Sequence, residues 1–293
     1  MRPLKTILPL MLLTLIALLM PRTPSTAQTN ARPGAPGASG GTVVFAVAKG
    51  TDGTFRMEPI VLMSGGKYTE PAADTEAATK KFADAYFRTG RQYRMIFGGG
   101  DAGSLTVQRY QADSCFNLVA EVSAQTTARL GGAVQALALS SDKIGSAASS
   151  RRAPSEAERT AALEVAQSVY KQRGVGAALV MKMKTVNLTA TDLERDGKFE
   201  LVGSFQIDAG SEVMHNLFII FEPTAVGKYK AAWTWYQKGY EDRNLVDVVD
   251  LDGDGTAEVI AEGFEIENNF YVIYKRQAGA WRPVYKGGGG GAC

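Results

Sequence analysis

Asp250-Leu251-Asp252-Gly253-Asp254-Gly255-Thr256-Ala257-Glu258 is the stretch on which the reading of this chain turns. A second, altered version stands upstream at Asp192-Leu193-Glu194-Arg195-Asp196-Gly197-Lys198-Phe199-Glu200. In both, acids fall at positions one, three, five and nine, and glycine at six. Repetition is an architectural signal and is read first. Around the second loop, Leu245 to Val249 and Val259 to Ala261 are rich in β-branched residues, which favour strands. Working outward, each loop falls between the first and second of four strand-like runs. The first unit holds Thr185–Thr189, Phe199–Ile207, Val213–Phe221 and Tyr229–Tyr236. The second holds Leu245–Val249, Ala257–Phe264, Phe270–Lys275 and Trp281–Val284. A four-stranded antiparallel unit in tandem is the sequence mark of a propeller blade. Two such units cannot close a ring, so they are expected to pack face to face, or on a helix at 156–172, or on the N-terminal strands.

The loop chemistry points to a hard cation. Alternating Asp250, Asp252 and Asp254 turn three short carboxylates inward as the backbone curls, and Gly255 supplies the positive φ of the bend. The carbonyl of Thr256 and the carboxylate of Glu258 complete an oxygen-rich set suited to Ca²⁺. Acids this close repel unless positive charge lies among them. In the first loop the corresponding set is Asp192, Glu194, Asp196, Lys198 and Glu200. There Arg195 replaces a glycine and Lys198 adds a second base, so a turn held by internal ion pairs is the favoured expectation.

An EF-hand requires flanking helices and a bidentate acid at position twelve. Position twelve here is Ala261, and the flanks are strands. The Asp-Leu-Asp-Gly-Asp-Gly-Thr-Ala-Glu-Val run at 250–259 resembles the calcium-binding β-hairpin loops of the FG-GAP/VCBS repeat family, found in integrin α-chain propellers. The resemblance covers roughly 185–285. It implies propeller-like β units, an extracellular setting and a structural Ca²⁺ ion.

The chain has 293 residues, enough for two modest domains. Met1 to Ala27 reads as a secretory signal: Arg2 and Lys5, an apolar run from Ile7 to Met20, then Ser25-Thr26-Ala27. The run is roughly 14 residues against the 20 or so needed to span a bilayer. Removing the segment takes three of the 32 basic residues and none of the 30 acids, leaving the acids one in excess. No basic field for nucleic acid remains, and the membrane enters only through export. Residues 28–41 read as a disordered lead-in. An N-terminal α+β domain spans 42–139, with strands at Thr42–Val47, Arg56–Met63, Gly66–Thr69, Gln92–Phe97, Ser104–Tyr110, Phe116–Val122 and Ala133–Leu139. It has a helix over Thr75–Arg88, closed by Gly90. Gly98 to Gly103 reads as a hairpin turn, because it lacks the Gly-Lys-Ser/Thr ending of a phosphate loop. Residues 140–154 read as a linker and 155–184 as a helical connector, with Ser155 and Glu158 forming a capping box. The blade-like repeats are 185–240 and 241–286, and 287–293 is a glycine tail. The fold class is thus mainly β with some α.

Cys115 is expected as a buried, inert thiol and Cys293 as a loose terminal one, with a disulfide between them or an intermolecular link as the alternatives a secreted setting permits. His215 is the sole histidine and is expected at a half-exposed strand position. Any triad or histidine-rich zinc site would have only this one to use. Trp233, Trp235, Tyr236 and Tyr240 read chiefly as core, with an aromatic platform for a sugar or peptide as the alternative. The expected function is a secreted or cell-envelope non-catalytic scaffold with a structural Ca²⁺ site and an extracellular protein or glycan partner. Its rivals are a carbohydrate-binding module on the tryptophan face and a secreted hydrolase. The hydrolase would be favoured by a cleft of raised-pKa acids outside the loops.

Overall fold

Period-two runs of valine, isoleucine and aromatic residues become strands throughout the computed structural model, which describes residues 41–72, 75–111, 118–145, 148–210, 213–225 and 227–290. The expected signal segment, Cys115 and Cys293 lie outside these residues. The N-terminal strands are β1 (Thr42–Lys49), β2 (Phe55–Ser64), β3 (Lys67–Thr69), β4 (Gln92–Phe97), β5 (Gly100–Gln111), β6 (Val119–Thr126) and β7 (Ala136–Leu139). They form one antiparallel sheet in the order β1-β7-β4-β5-β6-β2-β3, and an added β1–β2 pairing closes six of them into a barrel. Helix α1 (Glu76–Tyr86) is capped by Thr75, whose side chain accepts the Ala78 N–H. Its Phe82 and Ala83, with Phe87 just beyond, pack on the inward residues Val43, Phe45, Met95 and Leu105.

Strand β1 shows why its sequence is apolar without interruption. Phe45 and Val47 face the barrel core, while Val44 and Ala46 face outward onto Val246, Ile260 and Ile273 of a second sheet. Both faces of the barrel wall are therefore buried here.

Two four-stranded antiparallel meanders follow. The first comprises β8 (Lys184–Thr191), β9 (Glu200–Asp208), β10 (Met214–Ala225) and β11 (Lys228–Lys238). The second comprises β12 (Asp242–Val249), β13 (Glu258–Phe264), β14 (Asn269–Gln277) and β15 (Ala280–Gly287). They stack face to face through Val202, Phe218 and Ile220 on one side and Leu245, Val259 and Tyr274 on the other. Helices α2 (Glu156–Gln172) and α3 (Ala177–Val180) cover the free face of the first meander through Ala162, Ala166 and Tyr170 of α2 and Val180 of α3 against Leu201, Phe205 and Leu217. All three packing partners expected of the units are used at once: helix, meander, meander and barrel wall lie in sequence. The described residues all fall in one compact unit.

The capping box forms as read: Ser155 Oγ accepts from Glu158 N at 3.3 Å, and Glu158 Oε2 accepts from Ser155 N at 2.7 Å. The buried face of α2 also carries Tyr170, whose hydroxyl donates to the carbonyls of Phe205 and His215 at 2.8 and 3.0 Å. The glycine run does form the β4–β5 hairpin, with Gly98 and Gly99 in the left-handed region. Its tip is pinned to the second meander, since Asp247 accepts the Gly98 N–H through both oxygens at 3.0 and 2.9 Å. Arg151, from the stretch between the barrel and α2, is buried beside Asp247 at 3.1 Å and lies over the Phe97 ring. One departure concerns His215. It is 8% exposed rather than half-exposed, because its Nδ1 meets the Tyr236 hydroxyl at 2.6 Å on the helix-covered face.

Candidate metal centre

The two acidic loops take the same local form. In the second, Asp250 Oδ1 accepts Gly253 N at 2.7 Å and its Oδ2 accepts Gly255 N at 3.1 Å. Asp254 Oδ1 accepts Thr256 N at 2.9 Å, and Glu258 Oε2 reaches back to Leu251 N at 2.7 Å. In the first, Asp192 accepts Asp196 N and Gly197 N, Asp196 accepts Lys198 N at 2.9 Å, and Glu200 accepts Leu193 N at 2.8 Å. Positions four and six have positive φ in both loops. At position four the second loop uses Gly253 (φ 79), whereas the first forces Arg195 to φ 56. The loops lie side by side: Ala257 N donates to Leu193 O at 2.8 Å.

Asp250, Asp252 and Asp254 each offer a carboxylate oxygen, and these atoms lie within 4.8 Å of one another. Asp250 is nearly buried, while Asp252 and Asp254 are exposed. Glu258 is 1% exposed, and burial pushes its carboxyl up to about 7 against the pull of the Leu251 N–H and Lys275.

The loop sequence holds acids without a base among them, but the fold brings one in. Lys275 of β14 places Nζ 2.5 Å from Asp252 Oδ2, 2.7 Å from Asp254 Oδ2 and 3.0 Å from Glu258 Oε1. The cause is strand register. Val259 pairs with Tyr274, so one step further Lys275 comes level with Glu258 at the loop. Burial alone would lower the lysine pKa, but hydrogen bonds to the three acids outweigh it and raise it. Arg195 of the first loop adds a longer contact to Asp250 at 3.7 Å. The centre is therefore an acid bowl around one ammonium. By the spacing of their oxygens, Asp250, Asp252 and Asp254 could hold a metal ion.

The first loop is organised by different partners. Lys198 pairs within the loop with Asp196 at 2.5 Å, as expected. Arg195 does not stay inside its own loop but turns to Asp250. Glu194 is instead met by Arg276 of β14, which also touches Glu222 at 3.3 Å. Glu200 is buried, and burial pushes it up to about 7.

The aromatic residues separate. Trp233 and Trp235 point into the layer between the two meanders. Trp233 lies 4.4 Å from the Tyr274 ring, and Trp235 lies under Arg243 at 4.1 Å. Tyr236 is on the opposite face with His215 and Tyr170, and Tyr240 is exposed in the turn before β12. The four side chains do not share one platform.

A polar cleft was not legible in the sequence. It has a volume of about 480 Å³ and sits where the barrel meets the second meander, with Glu58, Glu262, Gln135 and Tyr271 in its wall. Burial pushes Glu58 up to about 7, and burial also raises Glu262. Glu58 and Glu262 are both raised by burial in a cleft outside the loops, which is the feature that favours the hydrolase reading. No protein-family model, no curated protein and no solved structure matches this chain.

Proposed function

We propose that this protein is an exported, non-catalytic binding or scaffold module of the extracellular or cell-envelope space, stiffened by a structural Ca²⁺ ion in the Asp250–Glu258 loop. In this reading the two meanders are blade-like repeats of the FG-GAP/VCBS kind, and the partner is an extracellular protein or glycan. The supporting observation is the set of three aspartate oxygens within 4.8 Å of one another, in a loop already shaped by hydrogen bonds to Asp250, Asp254 and Glu258.

Ca²⁺ takes roughly six to eight oxygens. Asp250, Asp252, Asp254 and Glu258 would supply charged ones, with the Thr256 carbonyl and water completing the set. Lys275 serves as the stand-in: one positive charge on a flexible stem at the point where the acids converge. A divalent ion brings twice that charge and binds carboxylates that an ammonium can only hydrogen-bond. At an extracellular module's usual dissociation constant, on the order of 10⁻⁴ to 10⁻³ M, the ion would be resident outside the cell and absent from a signalling role.

Thermal unfolding of the mature protein tests this. Millimolar Ca²⁺ raises the midpoint relative to chelator, and Asp252→Ala with Asp254→Ala abolishes the rise. Equal melting of the unaltered protein in both buffers defeats the proposal.

A further inference from the structure

The cleft between barrel and second meander serves neither acidic loop, and its chemistry is distinct. We propose that it is a binding site for a small ligand carrying a primary ammonium group, received between Glu58 and Glu262.

The volume, about 480 Å³, lies within the usual range for small-molecule sites. Small side chains at Ala46 and Ala48 keep it open. Glu58 Oε2 accepts from the Tyr271 hydroxyl at 2.9 Å and from Asn269 Nδ2 at 3.4 Å. Both bonds go to the same oxygen, Oε2. Glu262 Oε2 accepts from Gln135 Nε2 at 2.6 Å, and its Oε1 accepts from the same Asn269 amide at 3.4 Å. One amide thus spans the two carboxyls and keeps them close. No basic side chain touches either acid among the described residues. Two arginines also line the cleft, each paired with an acid other than these two: Arg56 with Asp52 at 3.6 Å and Arg109 with Glu121 at 2.6 Å. The hollow therefore contains two adjacent acids that neither of its arginines pairs with.

The neighbours decide which cation fits. Tyr271, Asn269 and Gln135 all present hydrogens to the acids, so they do not add the neutral oxygen ligands that a divalent ion requires. An ammonium asks for less: up to three acceptors around one nitrogen. The chain itself shows the match, because Lys275 Nζ sits among three carboxylates in the acidic loop. In the cleft that nitrogen must come from outside. The raised pKa of Glu58, set by burial with a further push from Glu262, is consistent with a site that ionises fully only when a cation enters.

The test uses the mature protein, with pentylamine as probe and 1-pentanol as its uncharged counterpart, by titration calorimetry. Pentylamine saturates one site and pentanol does not. Glu58→Gln and Glu262→Gln each weaken binding by roughly tenfold or more, as expected for losing a charge-assisted hydrogen bond. Ala48→Phe, which fills the cavity without touching either acid, abolishes binding and keeps the test decisive if a glutamine variant folds poorly. Asp252→Asn with Asp254→Asn leaves binding intact, which separates the cleft from the loop. The proposal is overturned by absence of saturable pentylamine binding, by equal affinity for pentanol, or by binding indifferent to Glu58→Gln and Ala48→Phe. Ca²⁺ binding that Glu58→Gln removes, in a protein that ignores pentylamine, overturns it in favour of a metal.

Discussion

Lys275→Met is the perturbation that separates a permanent internal counterion from a stand-in for Ca²⁺. Methionine keeps most of the stem's volume and removes the charge. Three contacts disappear. The one to Glu258 is fully desolvated, since that carboxylate side chain is 0% exposed. Hydrogen bonds to charged groups in such places are worth about 1.5–3 kcal/mol. The other two reach Asp252 and Asp254, whose side chains are 34% and 42% exposed. Solvent screening holds each of these to about 0.2–1 kcal/mol. The expected loss in chelator is therefore about 3 kcal/mol, or roughly 6–12 °C in the unfolding midpoint for a unit of this size. Ca²⁺ then acts without competition from the ammonium. At a hundredfold excess over its dissociation constant it returns about 2.7 kcal/mol, nearly the whole deficit. The assay is differential scanning fluorimetry of both proteins in chelator and across a Ca²⁺ series. The variant starts lower, rises more steeply and responds at lower Ca²⁺ than the unaltered protein. A variant that melts low and stays low at every Ca²⁺ concentration refutes the reasoning, because Lys275 would then be the cation the loop was built for.

Other predictions follow from the same contacts. Arg151→Met leaves Asp247 buried without its guanidinium and should cost about 3–5 kcal/mol, read by urea unfolding; an effect under 1 kcal/mol would show that the Gly98 N–H alone suffices for that carboxylate. Glu58 has a folded pKa near 7 against an ordinary 4.5, so the folded state binds the extra proton. Its stabilising contribution is complete below about 4.5 and is lost as pH rises through 7; Glu58→Gln should remove about 2–3 kcal/mol of that decline between pH 5 and 8, measured by denaturation at each pH. Trp233→Ala opens the layer between the meanders and should cost about 3–5 kcal/mol, a loss that a surface platform residue would not produce.

Much of this architecture is legible in local sequence, and the reasons are local. The loops announce themselves because every element of their shape, the Asp250 and Asp192 turns and the positive φ at Gly255 and Gly197, is set by residues within nine positions. The capping box at Ser155 and the hairpin at Gly98 are legible on the same grounds. What was hidden depends on register and closure. Lys275 lies 17 residues from Glu258, and only the pairing of β13 with β14 brings it to the loop. Arg151 and Asp247 meet across 96 positions. The cleft needs the barrel wall and the second meander together, with Tyr271 and Glu58 213 positions apart. A period-two search does give Trp233 and Trp235 a common face, but it cannot say that the face looks inward.

The asymmetry between the two loops bears on which of them would take the proposed metal. In the second meander the residue level with the buried loop glutamate is Lys275. In the first, one step beyond the Leu201–Phe221 pair, it is Glu222, an acid. Glu222 takes Lys230 of its own sheet at 3.2 Å, and further compensation arrives from the neighbouring meander as Arg276, which meets Glu194 and Glu222 together. An arginine held by two carboxylates is a fixed planar fork, and its displacement leaves a half-buried guanidinium to be re-solvated. A lysine is a point charge on a flexible chain, and it yields to a divalent ion with little rearrangement. Arg195 tightens the arrangement by reaching the other way, to Asp250. The first loop thus lends Arg195 to the second, the second meander lends Arg276 to the first, and a lysine is more easily replaced than an arginine fork. Asp192→Asn should leave the Ca²⁺-dependent rise in melting unchanged, whereas Asp250→Asn should abolish it. A rise lost in both variants would mean that the pair of loops binds as one centre, and the distinction between arginine and lysine would fail.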